Sequence, residues 1–299
     1  MAIIGILGNE YDNSVKLLKV RIEDMGHKAR IINFMHFPRV MRANLDIEHP
    51  IYDGHNLLDM GSFYLKDMGV REPFFHVNYS QELWEFLRPN YLRFADSEQD
   101  CKLFALNLLN ILAGQRPMVN PPHINVLQLL VPYQLSVLSY RGYNVPHFMT
   151  GFTSDYKEMN SKEQIPIRLD EHKNWEVLSF PKNRVKGLRV WREKKIGTTY
   201  IMFFLNGSLL EHMLVIPEDK SCSRMAELGE SSREVREIAL KAAVDMNLVF
   251  GEVSVLDAKE EQKVYIMHID PSPDFYIFEE DYDLPISGRL AEYLVNIAK

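Results

Sequence analysis

The stretch that most constrains the fold is residues 264–275, Val-Tyr-Ile-Met-His-Ile-Asp-Pro-Ser-Pro-Asp-Phe. Its β-branched and aromatic residues predict a β-strand, which the Pro-Ser-Pro turn ends because proline cannot donate a strand hydrogen bond. His268 and Asp270 stand two residues apart near the end of this strand, so their side chains point to the same face. We therefore expect a polar pair at the end of an apolar strand.

A second apolar run, residues 248–256, precedes this strand and places Glu252 and Ser254 on one face. The charged connector 257–263 predicts a hairpin between the two runs. If the two faces match, these residues and the pair on the later strand form a polar patch on an apolar sheet. Burying such a patch is costly without partners, so we expect it to hold a cation, a ligand or an internal hydrogen-bond network.

The N-terminal part predicts a small parallel sheet. Ile3–Leu7 is a continuous apolar run, as a strand buried on both faces requires, and a helix from residue 15 to about residue 26 follows it. Residues 29–32 then form the second strand of a βαβ unit. The Gly8-Asn9-Glu10 turn between strand and helix is not a dinucleotide fingerprint, because the second and third glycines are missing.

The rest of the chain predicts helices at 97–114, 123–141, 231–247 and 286–298, and short strands near 175–180, 188–192, 198–205 and 209–216. Ser97 and Asp100 resemble a capping box at the start of the first of these helices. Asn206-Gly207 is the strongest hairpin signal in the sequence. Residues 217–229 are expected to form a polar loop.

Composition restricts the class of protein. With 299 residues, 46% of them hydrophobic and 25% charged, the chain is typical of a soluble globular protein of two or three lobes. The net charge of −7 does not indicate nucleic-acid binding, and no apolar run approaches membrane-spanning length. Two cysteines, Cys101 and Cys222, without metal-type spacing favour a cytoplasmic location with free thiols. The oligomeric state is left open, with a homodimer as one option.

Several of these segments match, in order, the motifs of one known superfamily. Residues 119–122 (Val-Asn-Pro-Pro), the helix after them and the Gly-x-x-x-Pro of 142–146 resemble the entry into its central domain. Residues 187–190 (Gly-Leu-Arg-Val) resemble its Asp-Ile-Arg-Val segment, and the strands at 250–254 and 268–273 resemble its metal-binding strands. The chain thus resembles the ATP-grasp superfamily, in particular its RimK-like carboxylate–amine ligases, over most of its length.

This resemblance implies a fold and a reaction. The implied fold class is α/β (α+β), with an N-terminal βαβ domain at 1–118 and two antiparallel α+β subdomains at 119–185 and 186–299. Members of the family phosphorylate a carboxylate with ATP, and an amine or thiol then attacks the acyl phosphate. The implied cofactors are ATP and Mg²⁺, with Mn²⁺ as a second option, and the implied substrate is a small carboxylate or a peptide.

The resemblance also assigns roles to individual residues. It implies that the metal ligands are the polar residues of the last two strands: Glu252, Ser254, His268 and Asp270. His268 and Asp270 match the family's Glu and Asn, and Ser254 stands where the family has Asp. Two arginines, Arg189 and Arg224, are expected to stabilise the negative charge of the phosphoryl group or acyl phosphate. Arg168 and Phe180 are expected to contact the nucleotide.

The sequence departs from the family at several positions. Ser and His replace metal carboxylates, although Mg²⁺ prefers oxygen ligands. Gln128 stands near one expected ATP-binding lysine, Arg168 stands near the other, and the glycine-rich loop is missing between 156 and 174.

Three hypotheses follow. The chain is an ATP-dependent ligase with an altered metal site, or it is a catalytically inactive ATP-grasp-like protein that binds a nucleotide, a peptide or a partner protein. In the third, His268 and Asp270 only hydrogen-bond each other or the Pro271 turn.

Overall fold

The computed structural model describes residues 1–34, 48–68, 91–128, 131–152, 164–169, 175–177, 188–193, 195–217, 224–227 and 229–298. The chain divides into two compact units, Met1–Asn125 with Asp274–Lys299, and Val126–Pro273. The C-terminal residues thus return to the first unit, whereas the division expected from the sequence groups them with the preceding strands. The three-part division at 1–118, 119–185 and 186–299 stays a prediction.

The strands are numbered in chain order: β1 (Ile3–Leu7), β2 (Lys28–Ile32), β3 (Ile51–Tyr52), β4 (His55–Asn56), β5 (Ser62–Leu65), β6 (Met118–Val119), β7 (Phe148–Phe152), β8 (Gln164–Leu169), β9 (Trp175–Val177), β10 (Leu188–Glu193), β11 (Thr198–Leu205), β12 (Ser208–Pro217), β13 (Arg224–Glu227), β14 (Phe250–Ala258) and β15 (Lys263–Asp270). The α-helices are α1 (Asn13–Asp24), α2 (Tyr91–Gln115), α3 (Pro122–Asn125), α4 (Val131–Tyr140), α5 (Arg233–Asp245), α6 (Tyr276–Tyr282) and α7 (Ile286–Ile297).

The first unit is built on a parallel sheet of order β2-β1-β5-β6, as the βαβ pattern predicts. Asp12 caps α1, because its Oδ1 accepts from the backbone N–H groups of Ser14 and Val15 at 2.8 and 3.2 Å. The C-terminal helix α7 packs against α1 and β5, and the Ser62 hydroxyl donates to the Leu294 carbonyl at 2.8 Å. This packing places the chain's last helix in the N-terminal unit.

The second unit contains two antiparallel sheets, one of order β7-β10-β8-β9 and one of order β13-β12-β11-β14-β15. Asn206 and Gly207 join β11 to β12 with φ of 49° and 73°, the positive values that a two-residue type I′ turn requires. Helix α5 packs against β11, β14 and β15, and the Ser232 hydroxyl caps it by accepting from Val235 N–H at 3.2 Å.

Three expectations from the sequence differ from the structure. Helix α2 begins at Tyr91, so Ser97 lies inside it and cannot be its N-cap. The single helix expected at 123–141 is α3, a short 3₁₀ turn and then α4, whose second residue is Pro132. Proline suits a helix start because it lacks the N–H that a helix interior needs. The polar loop contains strand β13, which pairs with β12.

Within the described ranges, no helix combines the length and apolar character that crossing a membrane requires.

Candidate functional site

The predicted polar patch forms on β14 and β15, which are adjacent antiparallel strands. Glu252 lies directly opposite Asp270, and Ser254 lies directly opposite His268. Residues directly opposed across such a ladder share a face, with Cβ atoms about 5 Å apart. The four residues are therefore neighbours on one face of the sheet, as the sequence predicts.

All four side chains of this patch are buried, with exposures between 5% and 9%. The Ser254 hydroxyl donates to Glu252 Oε1 at 3.0 Å. Val253 and Ile269, which are opposed to each other in the same ladder, alternate with the polar residues and are fully buried. In this part of the ladder, the polar residues of the patch lie on one face, and Val253 and Ile269 lie on the other.

The turn after β15 depends on Asp270. Its Oδ1 accepts from the backbone N–H of Ser272, two residues further along the chain, at 2.8 Å, which forms an Asx turn. Ser272 is fully buried within the Pro-Ser-Pro turn. The hypothesis that Asp270 bonds the turn therefore agrees with the structure for one of its two oxygens.

Gln134 of α4 is a further polar residue at the patch. Its Oε1 accepts from Ile269 N–H at 2.9 Å and lies 3.2 Å from Nδ1 of His268. Its Nε2 donates to the carbonyl of Ile269 at 2.6 Å and to that of Leu127 at 3.4 Å. The side chain is fully buried, and both ends of its amide are hydrogen-bonded.

Sequence reasoning did not single out Gln134, although a signal is present. Val131, Leu135 and Leu138 form the buried stripe of α4, and Gln134 lies on that stripe with them. A buried amide among apolar residues must find partners, because an unsatisfied one costs about 1–3 kcal/mol. A glutamine on an apolar helix face therefore indicates a specific polar contact.

The family resemblance implies a divalent cation at this patch. The facing carboxylates of Glu252 and Asp270 supply the oxygen donors that Mg²⁺ prefers, so this pair fits such an ion. His268 fits it less well, because imidazole suits softer transition metals. Among the described residues, no three or more His, Cys, Asp or Glu side chains are grouped so that they could hold a metal. The four-ligand assignment stays a prediction, and its best-supported part is the carboxylate pair.

The other predicted site residues lie on the remaining strands of the second unit or outside the described ranges. Arg189 is on β10 opposite Gly151 of β7, and Arg168 is on β8 opposite Glu176 of β9. Arg224 is the first residue of β13, not a loop residue. Phe180 lies outside the described residues. The roles assigned to these four residues stay predictions.

A cavity of about 250 Å³ lies in the first unit, beside the carboxyl end of β2. Its lining includes Glu10, Arg30, Asn33, Tyr52 and Asp53. The buried Tyr52 hydroxyl donates to the carbonyl of Asn33, and burial, with the nearby charges of Asp53 and Glu10, raises the pKa of Tyr52. A larger and shallower cavity of about 340 Å³ lies in the second unit beside Asn144, Lys263 and Tyr265.

No protein-family model matches the sequence, and no curated protein matches it. Solved structures match at low sequence identity. The ATP-grasp ligase PsnB, complexed with a phosphomimetic variant of minimal precursor, Mg and ADP, is 16% identical with a TM-score of 0.79, over 99% of this chain and 98% of that one. The macrocyclase MdnC from Microcystis aeruginosa, bound with precursor peptide MdnA, is 15% identical with a TM-score of 0.71. The match covers 98% of this chain and 99% of that one.

The D-alanine–D-alanine ligase from Bacillus anthracis, complexed with ATP, is also similar. Its identity is 10% and its TM-score 0.58, over 100% of this chain and 97% of that one. Likenesses at such identities establish a fold but no reaction. Along nearly its whole length, the chain has the ATP-grasp fold.

Proposed function

We propose that this protein is an ATP-dependent ligase that joins a carboxylate to an amine through an acyl phosphate, with an altered metal site and a peptide as substrate. The peptide is proposed because PsnB and MdnC, whose structures this chain matches, are described as bound to precursor or precursor peptide. The RimK-like subtype, the use of Mg²⁺, a cytoplasmic location and a homodimer belong to the same proposal.

The observation that carries this proposal is the buried, directly opposed pair Glu252 and Asp270. Two carboxylates at opposed positions on neighbouring strands repel each other, and burial strengthens the repulsion. A divalent cation between them would remove this cost. An ATP-dependent phosphoryl transfer needs such an ion beside the phosphates.

Each proposed residue has a defined task. Glu252 and Asp270 would hold the cation, which offsets phosphate charge when bound. Arg189 and Arg224 would stabilise negative charge that develops on the transferred phosphoryl group, because a guanidinium keeps its charge and offers several donors. Two other residues, Arg168 and Phe180, would contact the nucleotide.

The second candidate is a catalytically inactive ATP-grasp-like protein that binds a nucleotide, a peptide or a partner protein. One observation favours it. Ser254 donates to Glu252, and His268 contacts Gln134, so both substituted positions are engaged in hydrogen bonding within the protein. An internal network of this kind needs no metal.

Calorimetric titration of the full chain with ATP, with and without Mg²⁺ or Mn²⁺, separates the two candidates. The ligase predicts heat of binding and a thermal shift only when a metal is present. Absence of heat and of a thermal shift under both conditions would favour a partner-binding protein. Binding of ATP that does not depend on the metal would favour an inactive nucleotide-binding protein.

Catalysis is tested with a synthetic peptide that carries both carboxylate and lysine side chains. The ligase predicts that ATP releases one equivalent of phosphate for each bond formed, and that the peptide loses the mass of one water. A peptide that binds without loss of mass or release of phosphate would favour the inactive protein.

A further inference from the structure

We infer that Gln134 is a positioning residue that holds His268 with its proton on Nδ1, so that Nε2 of the neutral ring carries the lone pair. The inference rests on the proposed function only for the identity of the ligand that meets Nε2. The protonated nitrogen itself is a property of the chain without nucleotide or metal.

The orientation of the Gln134 amide follows from the backbone that it contacts. Ile269 N–H can only donate, and it lies 2.9 Å from Oε1. The carbonyls of Ile269 and Leu127 can only accept, and they lie 2.6 and 3.4 Å from Nε2. Rotating the amide by half a turn would face donor with donor and acceptor with acceptor, so a single orientation satisfies all three contacts.

This orientation decides which nitrogen of His268 carries hydrogen. Oε1 of Gln134 is an acceptor, and it lies 3.2 Å from Nδ1. The contact is favourable only when Nδ1 bears a proton. A neutral imidazole carries one N–H, so Nε2 then holds the lone pair.

The surroundings make this preference strong. Gln134 is fully buried and His268 is 5% exposed, so a mismatched pair would be left without compensation from bulk water. The amide also binds Ile269, the residue between His268 and Asp270, and thereby holds the strand segment that carries both site residues. The Gln134 side chain thus determines which nitrogen of His268 carries the proton, and it also positions the strand backbone that carries the ring.

The consequence concerns what His268 can do. With Nε2 as the nitrogen that bears the lone pair, the neutral ring accepts a hydrogen bond or ligates a cation through Nε2. Histidines that ligate metals are commonly oriented by a hydrogen bond at the other ring nitrogen, and loss of that partner typically lowers affinity about 10- to 100-fold. Gln134 is placed to serve in this way for His268.

The test is ¹⁵N NMR of the histidine rings in the full chain without ATP or metal, at alkaline pH, where histidine is ordinarily neutral. His268 is expected to show a protonated Nδ1. His27 serves as an internal reference of the opposite kind, because its Nδ1 accepts from Ala2 N–H at 3.1 Å. A His268 ring with an unprotonated Nδ1 would overturn the inference.

Two variants separate positioning from structural support. Gln134→Met keeps a side chain of similar size but removes the acceptor, so the two neutral tautomers of His268 are expected to mix. Gln134→Glu keeps an acceptor oxygen for Nδ1 and Ile269 N–H while losing the donor to the Ile269 carbonyl, so Nδ1 is expected to stay protonated. An unchanged tautomer in Gln134→Met, or loss of the Nδ1 proton in Gln134→Glu, contradicts the inference.

The wild-type and Gln134→Glu spectra decide the matter if Gln134→Met does not fold. Both are recorded without ligand, so failure of ATP to bind would count against the proposed ligase and leave this result unaffected. Conversely, an unprotonated Nδ1 would leave the ligase proposal standing.

Discussion

Glu252 and Asp270 face each other directly across the β14–β15 ladder, and both carboxylates are buried. Like charges at opposed positions of a ladder repel each other, and a divalent cation bound by both carboxylates would offset that repulsion. Strand propensity does not explain the two residues, because Asp and Glu are disfavoured in β-strands. The pair is therefore the part of the polar patch that most directly indicates binding.

Asp270→Asn tests this pair, because the amide keeps the shape of the side chain and an oxygen that accepts from Ser272 N–H. Without metal, removing one of two opposed charges is expected to raise the free energy of unfolding by about 1 kcal/mol. The affinity for Mg²⁺·ATP is expected to fall at least about tenfold. Asp270→Ala should abolish Mg²⁺·ATP binding while the fold remains. Urea denaturation and calorimetric titration measure the two effects.

The control for Asp270 is Asp257→Asn, on the neighbouring strand β14 but outside the patch. It should leave Mg²⁺·ATP affinity unchanged. An Asp270→Asn chain that is less stable than wild type and still binds Mg²⁺·ATP normally would show that the carboxylate serves the turn alone.

Gly251→Ala tests the close approach of the two site strands. A Cβ at Gly251 would lie 2.4 Å from the carbonyl oxygen of Asp270, which is backbone and cannot move without shifting β15. We expect the free energy of unfolding to fall by about 1–3 kcal/mol, as overpacking usually causes. Gly114→Ala is the matched control, because nothing lies within 4 Å of its added Cβ in helix α2. It should raise stability by about 0.5–1 kcal/mol. Equal effects of the two substitutions would contradict the packing argument.

Tyr52→Phe tests the dependence of stability on alkaline pH. Burial and two nearby carboxylates raise the pKa of Tyr52 above its ordinary value of 10.0, so the folded chain holds this proton more tightly than the unfolded one. The resulting stabilisation is complete below pH 10.0 and is lost as the pH rises toward the folded-state pKa. The variant should be about 1 kcal/mol less stable at neutral pH, since the hydrogen bond to Asn33 is lost.

That difference in stability between wild type and Tyr52→Phe should shrink above pH 10.0, as measured by urea denaturation at several pH values. Other tyrosines titrate in both chains, and the comparison removes their contribution. Tyr140→Phe, at a residue that is 94% exposed, should match wild type at every pH. A Tyr52→Phe difference that stays constant with pH would show that the hydroxyl does not contribute through its proton.

Glu279→Gln tests the link between the last two helices. The buried carboxylate accepts from the backbone N–H of Ser287, in the first turn of α7, and from the Ser287 hydroxyl at 2.7 Å. Arg21 Nη2 lies 3.8 Å from the same carboxylate. Because an amide loses the charge and one acceptor, the free energy of unfolding should fall by about 1–3 kcal/mol. Glu292→Gln, in an exposed pair with Arg289, should change it by about 0.5 kcal/mol or less. Similar losses in the two variants would refute this assignment.

The sequence predicted the local elements well where one pattern dominated. Three such predictions agree with the structure: the βαβ order, the Asn206-Gly207 hairpin, and the shared face of His268 and Asp270. Each depends on periodicity or turn chemistry within a few neighbouring residues. Helix α2 is an exception, because it begins at Tyr91, six residues before its predicted start at Ser97.

The local sequence specifies how side chains alternate along each strand, and hence which residues can share a face. Three features became known only from the folded chain: Glu252 lies opposite Asp270, Gln134 contacts Ile269, and the last helix packs in the N-terminal unit. Strand register and helix packing are set by contacts between residues far apart in the chain, and no local pattern specifies them. The Gln134 contact spans 135 positions, so a buried glutamine was visible in the sequence while its partner was not.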